Sequence, residues 1–382
     1  MLARLLRPRS TGRALYAVLI IGALAPVSSA AAGQTRAASI PSFDAVARSA
    51  AEARDAGRLD EAVAAYRRAV ALRADWDEGW WYLATTLYEQ KQDADARDAF
   101  TRFLTLKPET AAAFALRGLC EFRLRHYDRA LADLRAAQMR GLGGNAELTR
   151  AAWYHTAILL LRDGQFELAV EPLTMLARSE PESASLVEAT GLLVLHLPLL
   201  PADIPREQHD VVTEAGRAGY SWLARAGAQA AERFRVLVER HPTLPNVHYA
   251  YGVFLLQSDP DAALAELRRE IAINPAAAYP HLEIAFELLR RGDAAGARTS
   301  AGNAVALGPD LAAAHNALGR ALVELGELER GISELQLAVK LSPESPEMHF
   351  ALANAYARAG RPQDAARERE IFSRLKRTSG QE

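Results

Sequence analysis

Nine small residues recur through this chain at an almost constant interval: Ala50, Ala84, Gly118, Ala157, Ala218, Gly252, Ala285, Gly319 and Ala353. The steps between them are 34, 34, 39, 61, 34, 33, 34 and 34 residues. A second series follows twelve residues on, or eleven in one case: Ala62, Ala96, Ala130, Ala169, Ala230, Ala263, Ala297, Gly331 and Ala365. A turn separates the two, often with glycine, at Gly57, Gly164, Gly227, Gly292, Gly326 and Gly360. A third series closes most units with proline: Pro108, Pro181, Pro242, Pro275, Pro309 and Pro343. A period of 34 with helix, turn, helix and closing proline describes an array of stacked helical hairpins. The small residues let the two helices of a hairpin approach closely. The proline ends the second helix, because it lacks the N–H that a helix interior needs. In such an array function resides on a surface, not in a short motif.

Unit 77–110 carries Trp80, Leu83, Ala84 and Leu87, then Ala96, Phe100, Phe103 and Pro108. Unit 312–345 carries Leu318, Gly319 and Leu322, then Gly331, Leu335, Ala338 and Pro343. These residues resemble the tetratricopeptide repeat. Its pattern is bulky, leucine, small, bulky in a first helix A, then small, bulky, small in a second helix B, then proline. Nine units fit: 43–76, 77–110, 111–144, 150–183, 211–244, 245–277, 278–311, 312–345 and 346–379. The resemblance implies an all-α fold, a right-handed superhelical solenoid of about nine helical hairpins. Some units depart from the pattern. Ala74 and Leu142 stand where the closing proline belongs in two of them. Unit 211–244 places Glu214 and Arg217 at bulky positions. Unit 346–379 places Arg369 at one, as suits a capping unit whose outer face meets water.

The first thirty residues are of another kind. Arg4, Arg7, Arg9 and Arg13 precede an apolar run over 14–27, and small residues follow from Ser28 to Gly33. That is the pattern of a secretory signal peptide, expected over 1–30, and the run is short for a membrane span. An uncleaved anchor is the alternative. The expected address is exported: periplasm, cell envelope or secreted. Removing four arginines from the formal charge of −2 leaves the remainder near −6. With only four lysines in the chain, this composition argues against a nucleic-acid partner. The single cysteine, Cys120, forbids an internal disulfide and sits in an apolar helix as a small buried residue.

The regular spacing breaks once. Residues 184–210 are additional, with an apolar stretch from Ala184 to Leu197 and a proline-rich loop to Pro205. The expected organisation is an N-terminal block of four repeats (43–183), an extra helix and linker (184–210), and a C-terminal block of five repeats (211–379).

No Walker loop, GxSxG, HExxH or CxxC occurs, and the carboxylates alternate with arginine at helical spacing. No catalytic residue and no cofactor are expected. His248, His281, His315 and His349 recur at steps of 33, 34 and 34, all at the fourth position of helix A. That position ordinarily holds a bulky packing residue, as Trp80, Phe114 and Trp153 do. Packing is the expected role. A metal shared between neighbouring helices is the alternative, although no second ladder of Asp, Glu or Cys is apparent to complete a site.

In the tetratricopeptide family, positions 2, 5, 9, 12 and 13 of helix A line the concave face. The resemblance therefore implies a partner-binding set of Trp81, Tyr88, Phe122, Arg123, Tyr154, Tyr249, Phe286, Asn316, Arg320, Phe350 and Asn354. Trp81 and Tyr88 are the expected exposed anchors of the N-terminal block. The lysine that chaperone-binding members use at position 5 to clamp a terminal carboxylate is missing. The expected function is a non-catalytic scaffold holding a peptide or protein on its concave surface. A structural subunit of an envelope assembly is the main alternative, and oligomeric state is left open. Mass spectrometry of the protein recovered from the envelope should find an N-terminus between Ala31 and Ala38. An intact Met1 form in the cytoplasm would contradict the leader.

Overall fold

The computed structural model describes residues 42–379, so the leader expected over 1–30 lies outside the described residues. Nineteen α-helices occur, and no strand appears among the described residues. They gather into two compact units, one ending at Thr156 and one beginning at Ala157.

The first unit holds α1 (Phe43–Asp55) with α2 (Leu59–Leu72), α3 (Asp77–Glu89) with α4 (Asp93–Leu106), and α5 (Ala111–Arg123) with α6 (Tyr127–Arg140). The division falls inside α7 (Ala146–Arg162), whose hairpin partner is α8 (Phe166–Ser179). The second unit continues with α9 (Ala184–Val194), α10 (His209–Leu223) and α11 (Gly227–Arg240). Then come α12 (Val247–Leu255) with α13 (Pro260–Ile273) and α14 (Ala278–Arg291) with α15 (Ala294–Leu307). The chain ends on α16 (Ala312–Glu324) with α17 (Leu328–Leu341) and α18 (Pro346–Arg358) with α19 (Pro362–Ser379). Eighteen helices make the nine hairpins, and α9 is the extra one. No described helix is long and apolar enough to cross a membrane.

The two small-residue ladders are buried inside the hairpins. Every alanine in them is at most 1% exposed. At Gly319 a Cβ would lie 2.7 Å from Leu335 Cγ and 2.8 Å from the Gly331 carbonyl oxygen. At Gly331 a Cβ would in turn lie 2.8 Å from the Gly319 carbonyl oxygen. The backbones of α16 and α17 are thus in direct contact. At Gly118 and Gly252 a Cβ would likewise meet Leu134 and Leu267 of the partner helix, at 3.0 and 2.9 Å.

The turn inside the hairpin is also repeated. In eight hairpins a left-handed residue follows helix A, and the next N–H bonds back five residues, as from Arg58 to Ala53 at 2.9 Å. This is the Schellman closure, which satisfies the orphan carbonyls of the helix end. Glycine fills the left-handed place at Gly57, Gly164, Gly292, Gly326 and Gly360, but Lys91, Arg125 and Arg225 fill it elsewhere. The expected turn role of Gly227 is thereby corrected. Gly227 opens α11, and Arg225 takes the left-handed conformation at φ 61°. The exception is the short α12, whose first turn is closed from outside. The fully buried Glu270 accepts the backbone N–H groups of Asn246 and Tyr249, at 2.7 and 3.1 Å.

The extra helix belongs to the packing of the second unit. A Cβ at Gly191 would fall on the carbonyl of Val212, and one at Gly216 on the carbonyl of Val187. Thr190 Oγ1 donates to the Gly216 carbonyl at 2.8 Å. So α9 and α10 touch backbone to backbone. α9 ends in the same Schellman closure, with His196 in the left-handed place at φ 50°. In the linker that follows, 201–203 and 206–208 form single 3₁₀ turns.

These contacts set opposite expectations for two substitutions. Gly319→Ala should cost about 1–3 kcal/mol by overpacking the α16–α17 contact. Lys91→Gly should add about 1 kcal/mol by relieving the left-handed penalty on an L-residue. Urea denaturation midpoints measure both, and movement of the two in the same direction would contradict the analysis.

Candidate partner-binding groove

In the first unit the expected groove residues are largely engaged in internal packing. Trp81 is only 9% exposed, with Phe100 and Phe103 at ring-centroid distances of 6.0 and 5.2 Å. Its expected role as an exposed anchor is therefore corrected. Both aromatic neighbours lie on its own helix B, and they draw the indole into the hairpin core. Tyr88 is half-buried beneath Arg123, whose guanidinium sits 4.1 Å from the ring centroid and also bonds Asp93 at 2.8 Å. Phe122 packs on Tyr127 and meets His155 edge-on at 4.7 Å. Tyr154 meets the same histidine at 5.4 Å.

The second unit is different. Phe286 is half-buried in the core formed by Leu282, Ala285 and Ala317. Tyr249 belongs to a ring cluster at the end of α9. Asn316, Arg320, Phe350 and Asn354 all line one groove of about 920 Å³ between α14, α16, α18 and α19. Phe350 is 50% exposed, the ring of Phe372 from α19 lying 5.3 Å away. Phe372 was not legible as a groove residue, because its helix B position ordinarily faces inward. Arg358 pairs with Glu324 at 2.7 Å on the groove wall. Arg320 is exposed and meets no carboxylate among the described residues. Asn316 is only 6% exposed, and its Oδ1 finds no hydrogen-bond donor among the described residues. An acceptor left buried without a donor costs about 1–3 kcal/mol. The groove thus offers two apolar rings, one arginine without a carboxylate and one buried acceptor.

Residues 47–111, 83–147 and 116–184 match the family described as tetratricopeptide repeat, and residues 319–360 match the one described as TPR repeat. The chain is a tetratricopeptide repeat protein. Repeats of this kind form protein-interaction scaffolds. No curated protein sequence matches this tetratricopeptide repeat protein. Among solved structures it is similar to MamA 41-end from Desulfovibrio magneticus RS-1, at 22% identity and a TM-score of 0.40, over 43% of this chain and 94% of that one. It is also similar to yeast Tom70, at 14% identity and a TM-score of 0.36, over 87% of this chain and 85% of that one.

The histidine ladder of this tetratricopeptide protein resolves into a repeated clasp. His248, His315 and His349 are buried, with Nδ1 on Glu266, Glu334 and Glu368 at 2.5, 2.6 and 2.6 Å. Their Nε2 atoms donate to the carbonyls of Pro242, Pro309 and Pro343 at 3.1, 2.9 and 2.9 Å. The reading that no acidic ladder accompanies the histidines is thereby corrected. It does exist, but it runs along helix B, eighteen or nineteen residues downstream. Each carboxylate serves its own histidine, so both ring nitrogens are occupied and no lone pair points at a metal. His281 has Ser300 at the corresponding place, and burial lowers its pKa. Among the described residues no group of three or more possible metal ligands forms. Trp80 repeats half the clasp, donating from Nε1 to the Ala74 carbonyl at 2.9 Å. Burial raises the Cys120 thiol to about 12, which leaves it inert.

Two groups tie the stability of the second unit to pH. The hydrogen bond to Glu266 raises the pKa of His248 above its ordinary value. Its stabilising contribution is complete below about 6.5 and is lost as pH rises through the raised value. Burial, with the Glu167 charge nearby, pushes Glu283 on α14 up to about 7. An unfolded glutamate loses its proton near 4.3, so between about 4.3 and 7 the folded state holds more protons and stability falls as pH rises. Both effects have the same sign. Thermal melts should show higher stability at mildly acidic than at mildly alkaline pH. Glu283→Gln should recover up to about 3 kcal/mol on the alkaline side and change little below the unfolded value. An equal difference at every pH would contradict the assignment.

Proposed function

We propose that this chain is an exported, non-catalytic scaffold that holds an extended segment of a protein partner in the groove between α14, α16, α18 and α19. The observation that carries the reading is the buried, unpartnered Asn316 Oδ1 beside the exposed ring of Phe350. A main-chain N–H of the segment supplies the missing donor. An apolar side chain covers Phe350 and Phe372, and an acidic side chain meets Arg320. Asn354 lies on the same wall and offers a second amide. Affinity comes from burying the rings, and orientation comes from the polar groups. The export part rests on the arginines and apolar run of residues 4–27.

A second reading has one observation in its favour. Leu168 and Met175 lie seven residues apart on α8 and are 57% and 42% exposed. Such a stripe suits self-association or docking into an envelope assembly. Light scattering on the purified protein separates the readings, since a groove scaffold need not self-associate.

The groove is tested by Phe350→Ala combined with Arg320→Ala. Loss of a central aromatic anchor typically weakens binding about thirtyfold or more. The double variant should therefore lose its partner in affinity capture from envelope extract, with helix content and melting temperature preserved. Capture at the wild-type level would move the binding surface elsewhere.

A further inference from the structure

Rings converge where α9 ends. His196 stacks on Phe166 with centroids 4.6 Å apart and planes only 5° from parallel. Tyr249 and Tyr279 meet the same imidazole edge-on, at 5.3 and 6.0 Å, and lie 6.3 Å from each other. With Trp222 they wall a cavity of about 120 Å³, and Glu167 lies on its rim. That is close to the size of a cavity of about 150 Å³ that admits one benzene. His196 reaches this place through a left-handed backbone, a conformation costly to a non-glycine residue.

The box has acidic side chains beside it without a basic partner among the described residues. Glu167 and Tyr279 both line the cavity, and Glu283 lies one turn beyond Tyr279 on α14. Neither carboxylate meets a lysine or arginine among the described residues, and no cationic side chain lines the cavity. Burial lowers the pKa of His196 to about 4, so the ring is neutral near pH 7 and supplies no charge. Aromatic faces carry negative quadrupole density, and a cation held over several of them is bound more tightly when it is desolvated. Flat rings around a small cavity, with Glu167 in its lining and Glu283, half ionised near pH 7, one turn beyond Tyr279, match a cation on an apolar stem.

We propose that the Phe166–His196–Tyr249–Tyr279 box receives the charged end of a lysine or arginine side chain from the partner segment. This rests on the reading of the helix A face as a peptide surface, of which Tyr249 is a part. The alkyl stem packs on the rings and Trp222, and the ammonium or guanidinium lies between Glu167 and Glu283. The segment is thereby specified as mixed in charge, with a basic residue here and an acidic one at Arg320.

The full chain can be titrated with nine-residue glycine-serine peptides that carry a central lysine, arginine or norleucine, following Trp222 fluorescence against a Trp222→Phe control. The lysine or arginine peptide should bind about tenfold more tightly than the norleucine peptide. That preference should vanish in Glu167→Gln/Glu283→Gln, with helix content unchanged, and n-butylammonium chloride should compete. Lysine and arginine differ in which peptide is preferred, and either result supports the box. Equal binding of the norleucine peptide, or a preference that survives the double substitution, overturns it. If n-butylammonium binds the wild type but not the double variant while no peptide binds, the box stands and the peptide reading falls. If neither the amine nor any peptide binds, the box is overturned.

Discussion

Everything in this chain depends on how closely two helices can approach inside one hairpin. The contact between Gly319 and Gly331 leaves no space for a methyl group on either side. Where alanine stands in place of glycine the residue is still fully buried. A fixed separation at one point, with a repeated Schellman turn seven residues on, leaves a hairpin little freedom in crossing angle. Large side chains such as Phe100, Leu134 and Leu335 fill the remaining gaps inside the hairpins. The small residues set the geometry, and the large ones supply most of the buried apolar area.

The clasp on His248, His315 and His349 links that intra-hairpin geometry to the step between repeats. Each imidazole holds a carboxylate of its own helix B and the proline carbonyl that ends the preceding repeat. The closing proline thus does two things: it ends a helix, and it exposes a carbonyl that the next helix A captures. Trp80 captures the corresponding carbonyl of Ala74 without a carboxylate, so the carbonyl contact is the part retained when the residue changes. Unit 211–244 inverts the pair, with Glu214 at the histidine position bonding His241 at 3.0 Å. That inversion accounts for a glutamate where the repeat pattern expects bulk.

The periodic features were legible in the sequence because each depends on one residue at one spacing. The ladders, the closing prolines and the extra helix all fall where their spacing puts them. Features that depend on two helices at once were not legible. The acidic partners of the histidines lie eighteen or nineteen residues away, across a turn, where no single-helix pattern reveals them. Trp81 shows the same limit. Its position in helix A marks it as a groove residue, but Phe100 and Phe103 on helix B attract it inward. The ring box is harder still, since α8, the end of α9, α12 and α14 all contribute, and one of its rings depends on a left-handed residue outside the repeat pattern. Asn316, Arg320, Phe350 and Asn354 fall together because they occupy positions 5 and 9 of neighbouring repeats, which is what that spacing can say.

A buried group without a partner is unfavourable in the free protein, and that is why it carries information about a ligand. In the first unit Arg123 has both Tyr88 and Asp93, and Phe122 has Tyr127 and His155, so these groove residues are met from within the chain. In the second unit Asn316 Oδ1 lacks a donor, and Glu283 holds a proton up to about 7. Each gains when an external group supplies what is missing: an N–H in one case and a cation in the other. Their shortfalls are opposite in kind, an unmet acceptor beside a free arginine and two acidic side chains without a cation beside rings. A single uniform ligand such as a polyanion or a polycation answers only one of them. A polypeptide can present an amide, an apolar side chain and charges of both signs along one extended strand, and it answers both.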